Sequence, residues 1–290
     1  MSSTVVHPEY IVETEWLARA LDDPGVRVLD CTQHLIPRPG NIRNDIKPGL
    51  EDFERGHIPG ASYIDIQRDI SDHGNPSLHF TLPRPEQFAQ AMGRLGIGDE
   101  TMVVLYSTAN HWWATRVWWM LRVFGHDRAA VLNGGFQKWT RESLPVEAGP
   151  GRPRRPVSYT PRFRPGRVAG KEDVLAAIGA SEVCTINALR PEQHAGTGGT
   201  SYGRIGHITG SINVAAVNVV DKDNIFKSTA ELQRMFADAL AKPRVITYCG
   251  GGIAASSPAM LLAMLGHRNV QLYDASLAEW AADPSLPMQI

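Results

Sequence analysis

Cysteine is scarce in this chain: Cys31, Cys184 and Cys249 are the 3 in 290 residues, and they lie far apart. So few thiols exclude a disulfide framework and a thiolate metal cage. No apolar run approaches the roughly 18 residues of a membrane span; the longest, around Ala259 to Leu265, has the length of a core helix. The opening Met1-Ser2-Ser3-Thr4-Val5-Val6-His7-Pro8 lacks the basic and apolar regions of an export signal. Net charge is nearly absent too. Lys and Arg number 29 against 30 Asp and Glu, so no polyanion-binding surface is implied and nucleic acid is not the expected partner. These absences predict a cytoplasmic protein with free thiols and no membrane or nucleic-acid partner. The chain is long enough for two modest cores, and with 43% hydrophobic and 20% charged residues it is expected to fold throughout.

What the sequence does contain is a repeat. Gly56-His57-Ile58-Pro59-Gly60-Ala61 returns as Gly206-His207-Ile208-Thr209-Gly210-Ser211, an offset of 150. The stretch from Gly125-His126 to Trp139 returns as Gly266-His267 to Trp280, offset 141, and Leu144-Pro145 as Leu286-Pro287, offset 142. Three ordered matches at similar offsets mark a tandem duplication. Between the copies, Gly149 to Arg167 holds five prolines, three glycines, six arginines and no acidic residue. Such a stretch suits an extended connector on the surface, not a helix or central strand. The expected organisation is therefore an N-terminal domain over 1–148, a linker over 149–167 and a C-terminal domain over 168–290.

Within each copy a β-branched run, a helix-length apolar segment closed by glycine, and a second short run follow one another. In the second copy these are Arg244–Tyr248, Ala254–Leu265 with Gly266, and Val270–Tyr273; in the first, Met102–Tyr106, Trp113–Phe124 with Gly125, and Ala129–Leu132. Pro258 falls in the first turn of its helix, where a missing N–H matters little. Strand, helix and strand at this spacing predict right-handed crossovers and a parallel sheet covered on both faces, so each half should be a small α/β domain.

The chemistry-bearing segment is Tyr248-Cys249-Gly250-Gly251-Gly252-Ile253-Ala254-Ala255. A cysteine at the carboxyl end of a buried strand stands where open α/β sheets bind ligands. Glycines after it allow a tight curl that turns several backbone N–H groups towards an anion, and a helix start adds further donors. Ordinary cysteine, with a pKa near 8.5, is only about 3% thiolate at neutral pH. A helix dipole contributes about 0.3–2 kcal/mol towards the anion, and charge-assisted N–H bonds add to it. No histidine partner is required. Cys31 and Cys184, at or inside strands, are expected to be buried and inert. His57 and His207 occupy equivalent repeat positions and are expected, like Asp30, to shape turns.

Together, Gly56-His57-Ile58-Pro59-Gly60-Ala61, Arg116-Val117-Trp118-Trp119-Met120-Leu121, Asn133-Gly134-Gly135-Phe136-Gln137-Lys138-Trp139 and the Cys249 loop resemble the two-domain rhodanese-like sulfurtransferases, over nearly the whole chain. That family contains thiosulfate and 3-mercaptopyruvate sulfurtransferases. The resemblance implies a tandem pair of rhodanese folds, with the active cysteine loop of the second facing a cleft between them. It also implies a ping-pong reaction through a Cys249 persulfide, from a small donor to a thiophilic acceptor such as cyanide, a thiol or a thioredoxin-like protein, with no metal or organic cofactor. Aligning Tyr106 with Tyr248 places Ser107 opposite Cys249 and Thr108-Ala109-Asn110-His111 opposite the glycines. Serine cannot carry sulfane sulfur, so the first copy is expected to be catalytically inactive. Trp112, Trp113, Trp118 and Trp119 are expected to pack in the core or between domains.

The family pattern is also broken in places. Thiosulfate-type members carry cations in the cysteine loop; Gly250, Gly251, Gly252, Ile253 and Ala254 provide none. A neutral loop is closer to the mercaptopyruvate type, whose loop reads Cys-Gly-Ser-Gly, yet the serine is Gly251 here. Asp65 and His79 fall at or near the acidic and histidine positions of that type's proton relay. Where members place Asp-x-Arg, this chain has Asn187-Ala188-Leu189-Arg190, leaving Arg190 and Arg204 as candidate grips on a donor anion. A Cys-x5-Arg phosphatase is excluded, because the sixth residue after Cys249 is Ala255. The alternatives are a thiosulfate-preferring rhodanese and a sulfur-carrier or interaction protein serving a protein acceptor.

Overall fold

The computed structural model describes residues 6–40, 43–108 and 110–290. The export reading of residues 1–5 and the placement of Ala109 lie outside the described residues. Two five-stranded parallel sheets are built from the two copies. The first runs, in spatial order, Ile11–Val12, Ala129–Leu132, Met102–Tyr106, Val26–Asp30, Ser62–Tyr63; the second runs Val168–Ala169, Val270–Tyr273, Arg244–Tyr248, Val183–Asn187, Ile212–Asn213. Matched through the repeat, the orders are identical. The central runs Met-Val-Val-Leu-Tyr and Arg-Val-Ile-Thr-Tyr are buried after their first residue, as strands covered on both faces must be.

The helices after these central strands span Trp112–Val123 and Ser256–Met264. The second starts later than its apolar run suggests, because Ile253-Ala254-Ala255 form a turn whose Ile253 carbonyl accepts from the Ser256 N–H at 3.0 Å. The two helices pack on each other, and Thr115 Oγ1 meets Ser256 Oγ at 2.7 Å. Those residues are repeat equivalents, so a pseudo-twofold axis passes between them. Other contacts obey it as well. The Leu82 N–H donates to Asp274 Oδ2 at 2.6 Å, and the Phe226 N–H donates to Asn133 Oδ1 at 3.0 Å, Asn133 and Asp274 being equivalents. Trp113, Trp118 and Trp119 are buried in one apolar core that continues from the first half into the second.

From 151 to 164 the connector has no regular structure, then makes a single turn at Pro165–Arg167. It is held against the first half: Val157, Arg162 and Arg164 N–H groups donate to the Gly93, Phe124 and Val123 carbonyls at 3.1, 2.8 and 2.7 Å. Tyr159 packs edge-on to Phe88. Arg164 pairs with Asp127, Arg162 with Asp99 and Arg152 with Glu147. An antiparallel hairpin, Gln33–Ile36 with Asp45–Pro48, projects from the first half.

Candidate active site

Cys249 directly follows the central strand of the second sheet, and its residue is 2% exposed. Its N–H donates to Ser276 Oγ at 3.1 Å, while its carbonyl and that of Gly250 accept from the Leu277 and Ala278 N–H groups at 3.1 and 2.8 Å. The loop is thus tied to the start of the helix Ser276–Trp280. Beyond Cys249, the backbone N–H groups of residues 250–255 donate to no acceptor among the described residues. Consecutive free amides at the end of a buried strand are what an anion needs from a nest.

Each glycine has its own reason. A Cβ on Gly250 would lie 1.8 Å from Tyr202 Cζ, so the phenol ring and the loop backbone touch. Gly252 has φ +81°, and a Cβ there would meet the Asp274 carbonyl at 2.4 Å. Gly251 has nothing within 4 Å and borders open space. That space is a cleft of about 520 Å³ walled by both halves, with Cys249, Gly250, Gly251, Ile253 and Ala254 on its surface.

The candidate side chains separate into two groups. Arg190 and His79 line the cleft. Among the described residues Arg190 has no ion pair; His79 Nδ1 accepts from Gln67 Nε2 at 3.2 Å, and burial lowers the pKa of its ring. Arg204 and Asp65 do not line it, which corrects the expectation for both. The Arg204 guanidinium donates to the carbonyls of Trp280, Ala281, Asp283 and Leu286 at 2.7 to 3.2 Å and has no reach left for a substrate. Asp65 caps the short helix Ile66–Ile70, accepting from the Arg68 N–H at 3.1 Å.

Three features escaped the sequence reading. Arg43, from the hairpin, lines the cleft with its Nη1 donating to the Ser77 carbonyl at 2.5 Å. Tyr202 lies against Gly250, and burial first, then the neighbouring Cys249, holds its phenol protonated. An aromatic residue inside the glycine-rich run 196–203 was the only signal for it. Arg116, fully buried in the first half, donates to Asp274 Oδ1 at 2.7 Å, to the Gly252 carbonyl at 3.2 Å and to the Phe80 carbonyl. Its repeat equivalent is Ser257, so this ion pair breaks the pseudo-symmetry on the Cys249 side alone. No periodicity shows which buried residue spans two domains.

On the opposite side the equivalent loop is bonded into its surroundings. The Thr108 N–H donates to Thr32 Oγ1 at 2.9 Å, and the Ser107 carbonyl accepts from the Phe136 N–H at 3.3 Å. His111 packs against Phe226 and contacts Asn224 at 3.2 Å, its pKa lowered to about 4, chiefly by burial. Cys31 and Cys184 are both buried; burial pushes the Cys184 thiol up to about 11 and raises the Cys31 thiol well above its ordinary value. His57 and His207 donate through Nδ1 to the Phe53 and His194 carbonyls, each at 2.8 Å, and lie away from the cleft. Among the described residues no group of three or more His, Cys, Asp and Glu could hold a metal ion, and no helix is long and apolar enough to cross a membrane.

Residues 13–142 and 175–283 each match the rhodanese-like domain model. The chain is 34% identical to 3-mercaptopyruvate sulfurtransferase of Escherichia coli, over 97% of this chain and 98% of that one. It is 33% identical to bovine (Bos taurus) thiosulfate sulfurtransferase, over 93% and 91% respectively. Among solved structures, SseA from Escherichia coli, described under the rhodanese fold of 3-mercaptopyruvate sulfotransferases, superimposes with a TM-score of 0.78 at 34% identity, covering 92% of this chain and 98% of that one. A repeated α/β fold, a strand-end cysteine beside a cleft and full-length relatives agree: the chain belongs to the tandem-domain, rhodanese-like sulfurtransferases.

Proposed function

We propose that Cys249 takes sulfane sulfur from 3-mercaptopyruvate as a persulfide and passes it to a thiol, with cyanide a serviceable laboratory acceptor. The observation that carries this reading is the run of free backbone N–H groups directly after Cys249, at the floor of the cleft. The Cys249 thiolate attacks the donor sulfur. The carbon–sulfur bond breaks, its electron pair leaves on the carbon of the pyruvate enolate, and the proton from the donor thiol ends on that carbon. Products are pyruvate and the persulfide anion, which the free amides and the protonated Tyr202 phenol can bind. An acceptor nucleophile then removes the outer sulfur and restores the thiolate.

In this reading 1–148 is a catalytically inactive rhodanese-like domain, 149–167 its linker and 168–290 the catalytic domain. Ser107 at the position of the cysteine, in a loop whose Thr108 N–H is already bonded to Thr32, supports the inactivity of the first. Unpaired cysteines support a cytoplasmic setting. Arg190 and Arg43 are the cations available to the donor carboxylate.

Relatives using either donor are about equally similar, so the donor preference rests on the loop. Thiosulfate needs charge close to its sulfur, and residues 250–254 carry no cation. A missing charge-assisted contact amounts to about 1.5–3 kcal/mol, or ten- to hundredfold in rate. Thiocyanate formation with each donor in parallel tests it: kcat/KM should favour 3-mercaptopyruvate by at least about tenfold. A ratio favouring thiosulfate overturns the preference and makes Arg43 and Arg190 the anion clamp.

A further inference from the structure

The cleft is much larger than a three-carbon keto acid requires. Volumes of this size hold drug-sized ligands, and its wall carries Ile46, Phe80, Trp112, Leu189 and Tyr202. Its charged groups lean positive: Arg43 and Arg190 stand against Glu192, while Asp274 is already neutralised by Arg116. Its two sides touch, Thr200 Oγ1 from the second half donating to Asn44 Oδ1 from the hairpin at 3.4 Å, both residues lining the cleft. Cys249 is 2% exposed and lines this cleft, so a small molecule bound in the cleft can meet its sulfur.

We propose that the sulfur acceptor is an aryl thiol bearing a carboxylate, bound whole in this cleft. The inference rests on the Cys249 persulfide described above. The ring lies against the aromatic and aliphatic wall, and the carboxylate faces Arg43 and Arg190. The aryl thiolate attacks the outer sulfur of the persulfide. The sulfur–sulfur bond breaks, its electron pair returns to Cys249 as thiolate, and the outer sulfur leaves as an aryl persulfide carrying the proton that the acceptor thiol gave up on becoming thiolate. No oxidant or reductant enters.

The test uses the full chain loaded with sulfur by 3-mercaptopyruvate, then offered 3-mercaptobenzoate, 3-mercaptopropionate or thiophenol. Loss of the extra sulfur from Cys249 is followed by mass spectrometry. Each rate is divided by that of the same thiol with a low-molecular-weight persulfide, so that thiolate fraction and intrinsic nucleophilicity cancel. Normalised rates should favour 3-mercaptobenzoate over 3-mercaptopropionate by about tenfold or more, from burial of the ring. They should favour it over thiophenol by about tenfold, from the carboxylate contact. Leu35→Asp, at a cleft-lining position already 42% exposed and so safe for folding, should shrink the first advantage, and Arg190→Gln the second. Equal normalised rates for the three thiols overturn the inference while leaving sulfur transfer intact. A chain that never loads sulfur on Cys249 overturns the persulfide reading as well.

Discussion

Arg116→Met tests whether the first half holds the cysteine loop in place. The guanidinium is 0% exposed and its partner carboxylate 11%, at 2.7 Å, so solvent screens the pair little. Methionine fills much of the space but leaves Asp274 charged with only the Leu82 N–H, and strands the Gly252 carbonyl. Breaking a buried pair by removing one partner costs about 3–5 kcal/mol. For domains of this size that corresponds to roughly 6–20 °C in Tm. The loss of the contact to Gly252 should also lower kcat/KM for sulfur transfer about ten- to hundredfold, because the loop carrying the free amides is no longer fixed. Arg116→Met, Asp274→Asn and the double variant, compared by urea denaturation and thiocyanate formation, form a cycle. The double variant should lose less than the sum of the singles, by about 0.5–3 kcal/mol. If Arg116→Met loses less than about 1 kcal/mol, as an exposed pair would, and transfers sulfur at the parent rate, the pair is not a strut and the reasoning fails.

Two further expectations concern the repeat and the loop. Burial raises the pKa of Asp30 to about 6, so the folded chain binds a proton more tightly than the unfolded chain, whose carboxyl titrates near 4; stability should fall by about 3 kcal/mol as pH rises from 4 to 6 and then level off. Asp30→Asn, the residue the second copy already uses at Asn187 with the same acceptor role towards the amide two residues on, should remove that fall in denaturation titrations; an unchanged pH profile would contradict the assignment. Gly250→Ala should lower sulfur transfer at least tenfold through collision with Tyr202, whereas Gly251→Ser, facing open space, should keep a stability within about 0.5 kcal/mol of the parent; parent-like transfer by Gly250→Ala, or a larger loss of stability in Gly251→Ser, would contradict these two roles.

The duplication, the parallel sheets and the strand-end cysteine were legible because they follow from local signals. Repeated Gly-His-Ile motifs fix equivalence, β-branched runs fix strands, and a cysteine before glycines marks a ligand-binding turn. The cleft walls were less legible. Arg190 and His79 could be placed by their distance along the chain from known motifs, but the same logic misplaced Arg204 and Asp65. Arg204 looked like a free cation until four carbonyls claimed it. Arg43 and Arg116 reach the site from the hairpin and a helix of the first half, and only the packing of the two copies about their pseudo-axis brings them there, while Tyr202 comes from a loop of the second half itself. Buried charge gives no warning in a sequence: Arg116 sits among Trp and Val residues in a helix that otherwise reads as core.

The central claim is that Cys249, alone of the three thiols, carries the transferred sulfur. Incubation with 3-mercaptopyruvate, rapid acid quench and peptide mass spectrometry measure this directly. The expected result is one added sulfur on the peptide containing Cys249, retained in Cys31→Ser and Cys184→Ser and absent in Cys249→Ser. Sulfur found on Cys31 or Cys184 instead, or full turnover by Cys249→Ser, would contradict it.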